Sequence, residues 1–300
     1  MSTSTKLSII IVNYNVCDLL RTCLAQIVRE ADQKYTTEVW VVDNNSSDNS
    51  TNMIRSEFPS VKLIANKKNV GYAKANNIAI KKAKGEYVLL LNPDTIIEKN
   101  GLTKCLTFMD NHLNAGAMGV KMIDENGNYL PESKRGLPTP FTALYKLLGL
   151  YKLFPKSNRF GRYYMSHLDK NSTGPVEVIA GAYMLIRKEV FTSIGYLDEN
   201  FFMYGEDVDL SYRISNAGFQ LYYYPEVTIT HLKGKSSKMY DLKKVFNFYN
   251  SMIIFSNKHF RKNKYSLPYI LVNTSIYSLM GIGYLKSLIG KIKITLQNEI

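Results

Sequence analysis

The sequence predicts an α/β fold: a mostly parallel sheet flanked by helices, followed by a helical C-terminal appendage. Three observations carry this. Short apolar runs alternate with helix-period segments from Leu7 onward, the pattern of successive βαβ units. Tyr87–Leu91 reads Y-V-L-L-L, an unbroken apolar run that suits a strand covered on both faces. Polar clusters follow the runs, where strand ends of an open α/β sheet meet ligands.

Leu7–Val12 is the first buried strand, followed by Asn13-Tyr14-Asn15. Asp18–Glu30 places Leu19, Leu20, Cys23, Leu24, Ile27 and Val28 on one helical stripe. Glu38–Val42 is a second strand, running into the polar loop Asp43–Asp48. Val61–Ala65 is a third, and Asn69-Val70-Gly71-Tyr72 precedes a helix over Ala73–Ala83. The Tyr87 strand stops at Asn92, because Pro93 lacks an amide hydrogen and biases its predecessor away from helix.

Asn100–His112 reads as a helix, after which regular patterning weakens. Residues 130–174 hold four prolines, and 130–175 reads as an insertion beside the ligand edge, with an amphipathic helix over Phe141–Phe154. A plain surface excursion is the alternative. Val176–Leu185 reads as a strand containing Gly181-Ala182, then a short helix runs through Ile194. Asp207–Ala217 is a helix closed by Gly218. Gln220–Tyr224 and Val227–His231 read as two closing strands. The expected division is one domain over 1–240 and a helical region over 241–300.

The net charge of +13 favours an anionic partner. No zinc-finger spacing or RNA-recognition signature is present, so nucleic acid is not the expected one. Cys17, Cys23 and Cys105 form neither a disulfide framework nor a metal motif and fit a reducing compartment. Leu7–Val12 is too short for a signal-peptide core, so the chain is expected in the cytoplasm.

Three polar constellations stand out. Asp43, at a strand's carboxyl end, can accept a hydrogen bond from a base imide or a ribose hydroxyl, with Asn13, Asn15 and Asn76 on neighbouring loops; an Asx-turn or helix cap is the alternative. Asp94 and His231, also at strand ends, can share Mg²⁺ or Mn²⁺ with a diphosphate, and Lys233-Gly234-Lys235-Ser236-Ser237 adds phosphate-binding chemistry. Each taken alone is equally an ordinary turn or strand-end residue. Glu206-Asp207 opens a helix behind the aromatic run Phe201–Tyr204, where an aspartate can take a proton from an incoming hydroxyl. The dipole alone also favours acids there. Asp209 and Arg213, spaced i,i+4, read as a surface or supporting pair.

In combination the motifs resemble a family 2 glycosyltransferase of the GT-A fold, a Rossmann-like mostly parallel sheet, close to bacterial rhamnosyltransferases. The resemblance spans Leu7 to Ser237 through S-I-I-I-V-N-Y-N, V-V-D-N-N-S-S-D, N-V-G-Y-A-K-A-N-N and L-N-P-D-T. It continues in G-A-Y-M-L-I-R, F-F-M-Y-G-E-D-V-D-L-S-Y-R and H-L-K-G-K-S-S. It implies that Asp43 binds the nucleotide with Asn13 and Asn15, and that Asp94 is the metal acid of an aspartate-any-aspartate motif. The first position of that motif is Asn92 here, one carboxylate fewer for the cation. It implies further that His231 completes the metal or diphosphate site, and that Asp207 is the base with Glu206 orienting the acceptor. Gly181-Ala182 and Tyr204 would flank the acceptor. The implied donor is a nucleotide-sugar, dTDP-L-rhamnose in particular, with UDP-sugars open, and the implied acceptor a polyprenyl-diphosphate-linked saccharide.

The tail places Lys258, His259, Arg261, Lys262 and Lys264 before Ser266–Leu285, a stretch without formal charge but diluted by polar residues and glycine. It is expected to lie on an anionic cytoplasmic leaflet; a core-packing or homo-oligomer-forming helix is the alternative. Two rival functions are a sugar nucleotidyltransferase, which lacks its Gly-rich basic loop here, and a non-catalytic sugar- or lipid-binding protein.

Overall fold

The apolar runs at Leu7 and Tyr87 are buried along their whole length, as β1 (Leu7–Asn13) and β4 (Tyr87–Leu91). The computed structural model describes residues 4–31, 35–154, 156–232, 242–260 and 267–298. The Lys233–Ser237 run, Arg261, Lys262, Lys264 and Ser266 lie outside the described residues.

Between β1 and β4 come α1 (Cys17–Ala31), β2 (Thr37–Asp43), α2 (Ser50–Glu57), β3 (Lys62–Ala65) and α3 (Tyr72–Ile80). Strand periodicity explains the two-sided burial. Ile9, Ile11 and Leu89 face one core with Leu20 and Leu24 of α1, while Ile10, Val88 and Leu90 face a second core with Ala75 and Ala79 of α3. Each fully buried Leu or Ile contributes about 1.5–3 kcal/mol, so a charge at Leu89 would break both the strand and the α1 packing.

Beyond β4 follow β5 (Thr95–Ile97), α4 (Gly101–Asn111) and β6 (Ala115–Ile123). The sequence pattern weakens after His112, yet β6 is nine residues long and pairs with two strands. Its Ala-Gly-Ala-Met-Gly start lacks the β-branched signature of a strand. Small residues are required there: a side chain at Gly116 would meet Phe219, and one at Gly119 would meet Ile179.

The expected helix over Phe141–Phe154 is two pieces, α5 (Pro140–Leu147) and α6 (Leu150–Leu153), broken at Gly149 with φ +68°. Next come the two-residue β7 (Gly174–Pro175), β8 (Tyr183–Arg187), α7 (Lys188–Ile194) and α8 (Glu206–Asn216). The strand expected over Val176–Leu185 thus begins only at Tyr183; Gly181 and Ala182 lie in the turn before it. The two expected closing strands are one, β9 (Gln220–His231). Its pairing jumps from Tyr224–Val120 to Thr228–Lys121, a bulge that absorbs Pro225. Two helices end the chain, α9 (Leu242–Phe260) and α10 (Leu267–Asn298).

Among the described residues the sheet has nine strands, ordered β3-β2-β1-β4-β8-β6-β9-β5 with β7 on β9. All run one way except β8, β5 and β7, which are antiparallel to their neighbours. Strand direction therefore decides what meets at the ligand edge. The carboxyl ends of β1, β2, β4 and β9 arrive there together with the amino ends of the reversed β5 and β8. α10 packs on α9 and α5. Among the described residues no helix is long and apolar enough to cross a membrane.

Candidate active site

Asn13 and Asp43 end adjacent parallel strands and are both buried. Asn13 Nδ2 donates to Asp43 Oδ1 at 2.8 Å. Ser46 donates to the same carboxylate twice, from Oγ at 2.6 Å and from its backbone N at 2.9 Å. This is the Asx-type turn; α2 begins seven residues after Asp43, so a helix cap is ruled out. Asn15, in the left-handed region at φ 57°, accepts from Ser47 N at 2.7 Å and ties the two loops together. Asn76 bonds only within α3, from Nδ2 to Tyr72 O at 3.0 Å. Asn13 Oδ1 and Asn76 Oδ1 are buried without a hydrogen-bond partner.

Asn44 carries no assigned role in the sequence reading, yet it connects this edge to α3. Its Nδ2 donates to Gly71 O at 3.2 Å and its Oδ1 accepts from Asn66 at 2.9 Å. Gly71 has φ +86°, and a Cβ there would sit 2.6 Å from Phe202 O, so both backbone and space demand glycine. Tyr72 N donates to that same Phe202 O at 2.7 Å.

Tyr72 is the hub. Its hydroxyl lies 3.3 Å from Asn92 Oδ1 and 3.2 Å from Gly181 O, while Asn92 N donates to Ala182 O at 3.1 Å. Burial drives the phenol pKa upward, and the charges of Glu206, Asp207 and Asp94 push it the same way. Three carboxylates, from two parts of the chain, therefore lie close enough to act on one hydroxyl. The motif N-V-G-Y-A-K-A-N-N contained this signal, but a tyrosine after a glycine carries no chemistry until the fold encloses it.

Asp94 and His231 are brought together by the β5–β9 pairing, which sets Thr95 opposite His231. Leu232 N donates to Asp94 O at 2.9 Å. Asp94 Oδ1 lies 3.2 Å from His231 Nε2 without hydrogen-bond geometry, and Asp94 Oδ1 and His231 Nδ1 are both buried without a hydrogen-bond partner. Such orphaned oxygen and imidazole donors fit a divalent cation. Among the described residues no cluster of three or more His, Cys, Asp or Glu forms, so a cation here would take its other ligands from diphosphate and water.

The carboxylate pair follows two consecutive left-handed residues, Tyr204 (φ 70°) and Gly205 (φ 80°). Asp207 Oδ2 accepts from Gly181 N at 3.1 Å and from the Arg135 guanidinium at 2.5 Å; Oδ1 accepts from Val208 N at 2.8 Å. Glu206 is buried, and its Oε2 has no hydrogen-bond partner. Burial first, then the adjacent Asp207 charge, raises the Glu206 carboxyl to about 8, with Arg135 opposing. Arg135 is another residue that sequence reasoning missed: it comes from the proline-rich segment, far from either acid in sequence. Tyr204 is partly exposed, with its ring edge-on to Phe248 at 5.8 Å.

Asp209 and Arg213 form the supporting pair, not the surface one: Asp209 is fully buried. It accepts from Arg213 Nε at 2.8 Å, His259 Nε2 at 2.7 Å and Lys258 Nζ at 2.8 Å. Burial raises its pKa, but the His259, Lys258 and Arg213 interactions outweigh it and hold the carboxyl at about 2.

A largely parallel sheet presenting acids and a histidine at its ligand edge, with helices on both faces and a helical end, is the GT-A type of α/β fold. The chain belongs to glycosyl transferase family 2, whose family model matches residues 8–195. It is 29% identical over 211 residues to the N-acetylglucosaminyl-diphospho-decaprenol L-rhamnosyltransferase of Mycobacterium tuberculosis, covering 66% of this chain and 67% of that one. Rhamnosyltransferase WbbL of Escherichia coli is 28% identical over 207 residues, covering 63% of this chain and 74% of the relative. In fold it is similar to GalNAc-T7, a structure solved with UDP, GalNAc and Mn²⁺: TM-score 0.61 and 17% identity over 86% of this chain. The chain spans about half of that structure, 48%.

Proposed function

We propose that the protein is an inverting glycosyltransferase that moves L-rhamnose from dTDP-rhamnose to a hydroxyl of a polyprenyl-diphosphate-linked saccharide, in the assembly of a cell-surface polysaccharide. The observation that carries the transferase chemistry is the bonded chain at the ligand edge, in which the Tyr72 hydroxyl bridges Asn92 and the Gly181 carbonyl while Gly181 N donates to Asp207. The donor and acceptor rest on similarity to the mycobacterial and Escherichia coli rhamnosyltransferases.

Asn13, Asn15 and Asp43 hold the nucleoside through the turn they form, with Asn76 and Asn92 nearby. The acceptor oxygen forms a bond to the anomeric carbon as the bond from that carbon to phosphate breaks. The electron pair departs with the nucleoside diphosphate, and the hydroxyl proton passes to Asp207. Oδ1 is the receiving atom, since Oδ2 is occupied by Arg135 and Gly181 while Oδ1 accepts only from Val208. Glu206, protonated at neutral pH, donates a hydrogen bond that orients the acceptor. Asp94 and His231 would hold the cation, Mg²⁺ or Mn²⁺, which supplies charge neutralisation for the leaving diphosphate. Gly181, Ala182 and Tyr204 wall the acceptor side.

In this reading a lipid-linked acceptor puts the reaction at the cytoplasmic face of a membrane. α10 fits this: Leu267, Ile270, Leu271, Tyr277, Leu285 and Ile289 all lie exposed on the helix face turned away from α9. An apolar face on a chain of charge +13 suits an anionic lipid surface. A panel of sugar nucleotides, scored by thermal stabilisation and nucleoside diphosphate release, tests the donor. Stabilisation by UDP-hexoses alone would overturn the rhamnosyl assignment.

A further inference from the structure

The catalytic turn is an unfavourable piece of backbone. Tyr204, an aromatic residue at φ 70°, precedes Gly205 at φ 80°, and such conformations persist only where the surroundings over-determine them. Most of the supporting groups come from a single distant element, α9. Phe248 sets its ring against Tyr204. Ser251 packs so closely that a Cβ on Gly205 would lie 3.2 Å from its own Cβ. Near the end of α9, Lys258 and His259 both bond the buried Asp209 of α8, two residues beyond Asp207. Lys258 also reaches Asp198 at 2.5 Å, at the start of the segment leading to the turn. Arg213, the third partner of Asp209, bonds the carbonyls of Ile194 at 2.9 Å and Tyr196 at 2.8 Å. The His259 ring lies tilted against Tyr212, with centroids 4.3 Å apart.

We propose that α9 is the positioning element of the carboxylate pair: Lys258 and His259 fix α8 through Asp209, while Phe248 and Ser251 hold the left-handed Tyr204-Gly205 turn from which Glu206 and Asp207 project. None of the four touches the reacting atoms. The inference rests on the reading of Glu206 and Asp207 as the reacting carboxylates. A buried ion cluster is a poor source of net stability but a good source of unique geometry, because each partner must sit in one place to satisfy the others.

The test uses the full-length chain carrying Lys258→Met with His259→Ala, and separately Phe248→Leu, which leaves the Asp209 cluster intact. The expected result in both is a kcat lowered by about ten- to hundredfold with donor KM moved less than about threefold, as for a reacting group displaced by ~1 Å. Lys258→Arg and His259→Gln, which keep a donor for Asp209, recover most of kcat. Phe248→Leu also keeps the test intact should the double variant fail to fold. Unchanged kcat in the folded variants, with Asp207→Asn inactive, overturns the positioning role. So does a loss of kcat that merely follows the melting temperature and raises donor KM in proportion. Turnover surviving in Asp207→Asn would instead remove the catalytic reading on which the inference stands.

Discussion

Arg135 and Asp207 form an ion pair across 72 residues of sequence, and it joins the proline-rich segment to the start of α8. Asp207 carries its charge beside the protonated Glu206 at a largely buried helix start, and the guanidinium offsets the cost of holding that charge there. Arg135→Met is therefore expected to lower unfolding free energy by about 2–4 kcal/mol, as when one partner of a largely buried pair is removed. Turnover should fall at least tenfold, because Asp207 loses the bond that fixes Oδ2. Urea unfolding and single-turnover assays of the variant check both; wild-type stability would refute the first.

Asp207→Asn keeps the Arg135-facing oxygen but loses the proton acceptor. Nucleoside diphosphate release with acceptor present is expected to drop by at least about a thousandfold. Donor affinity by calorimetry should stay within about threefold of wild type, since no donor contact is removed. Loss of donor binding instead would place Asp207 in the nucleotide site.

Glu206 gives the fold a defined pH signature. Its folded-state pKa of about 8 exceeds the ordinary 4.5, so the folded state binds the proton more tightly. That contribution is complete below pH 4.5 and is lost as pH rises to about 8. Glu206→Gln, neutral throughout, should therefore lose less stability than wild type between pH 5 and 8, the range bracketed by those two values. Melting temperatures of both proteins across that range give the difference curve, and parallel curves would remove the raised carboxyl.

Sequence order carried the parallel half of the sheet because β1, β2 and β4 are continuous apolar runs, and it placed Asn13, Asp43 and Asp94 at their ends. It carried neither β6, whose Gly and Ala positions are dictated by Phe219 and Ile179 packing, nor the reversal of β8, which brings Gly181 to Asp207. Arg135, Tyr72 and Asn44 were invisible for one reason. Each acts through a contact with a distant segment, and single-chain periodicity reports only neighbours in sequence. The spacing of Asp209 and Arg213 left a surface and a supporting pair open, since nothing local announces that α9 contacts them.

Asp94 Oδ1 lies 3.2 Å from His231 Nε2, and activity should depend on a divalent cation there. His231→Ala is expected to raise the Mn²⁺ concentration for half-maximal turnover at least about tenfold, with Asp94→Ala more severe. The same variants should weaken Mn²⁺ relaxation enhancement measured with nucleoside diphosphate alone. Unchanged metal titration in both would remove the cation from this site.

Membrane attachment predicts a charge and an apolar dependence together. α10 is about 48 Å long at 1.5 Å per residue, enough to lie along a leaflet, and its outward face between Leu267 and Leu285 carries no formal charge. Leu285→Glu with Ile289→Glu adds two charges to that face, whereas both side chains are exposed and leave the α9 contact untouched. Flotation with liposomes containing anionic lipid should fall by at least about tenfold at 0.15 M salt, while melting temperature stays the same. Neutral liposomes should bind the wild type weakly, because lipid charge supplies about 1 kcal/mol per nearby Lys or Arg. If the double substitution instead converts a dimer to a monomer on size exclusion and flotation is unchanged, the outward face belongs to a second copy of the chain and not to lipid.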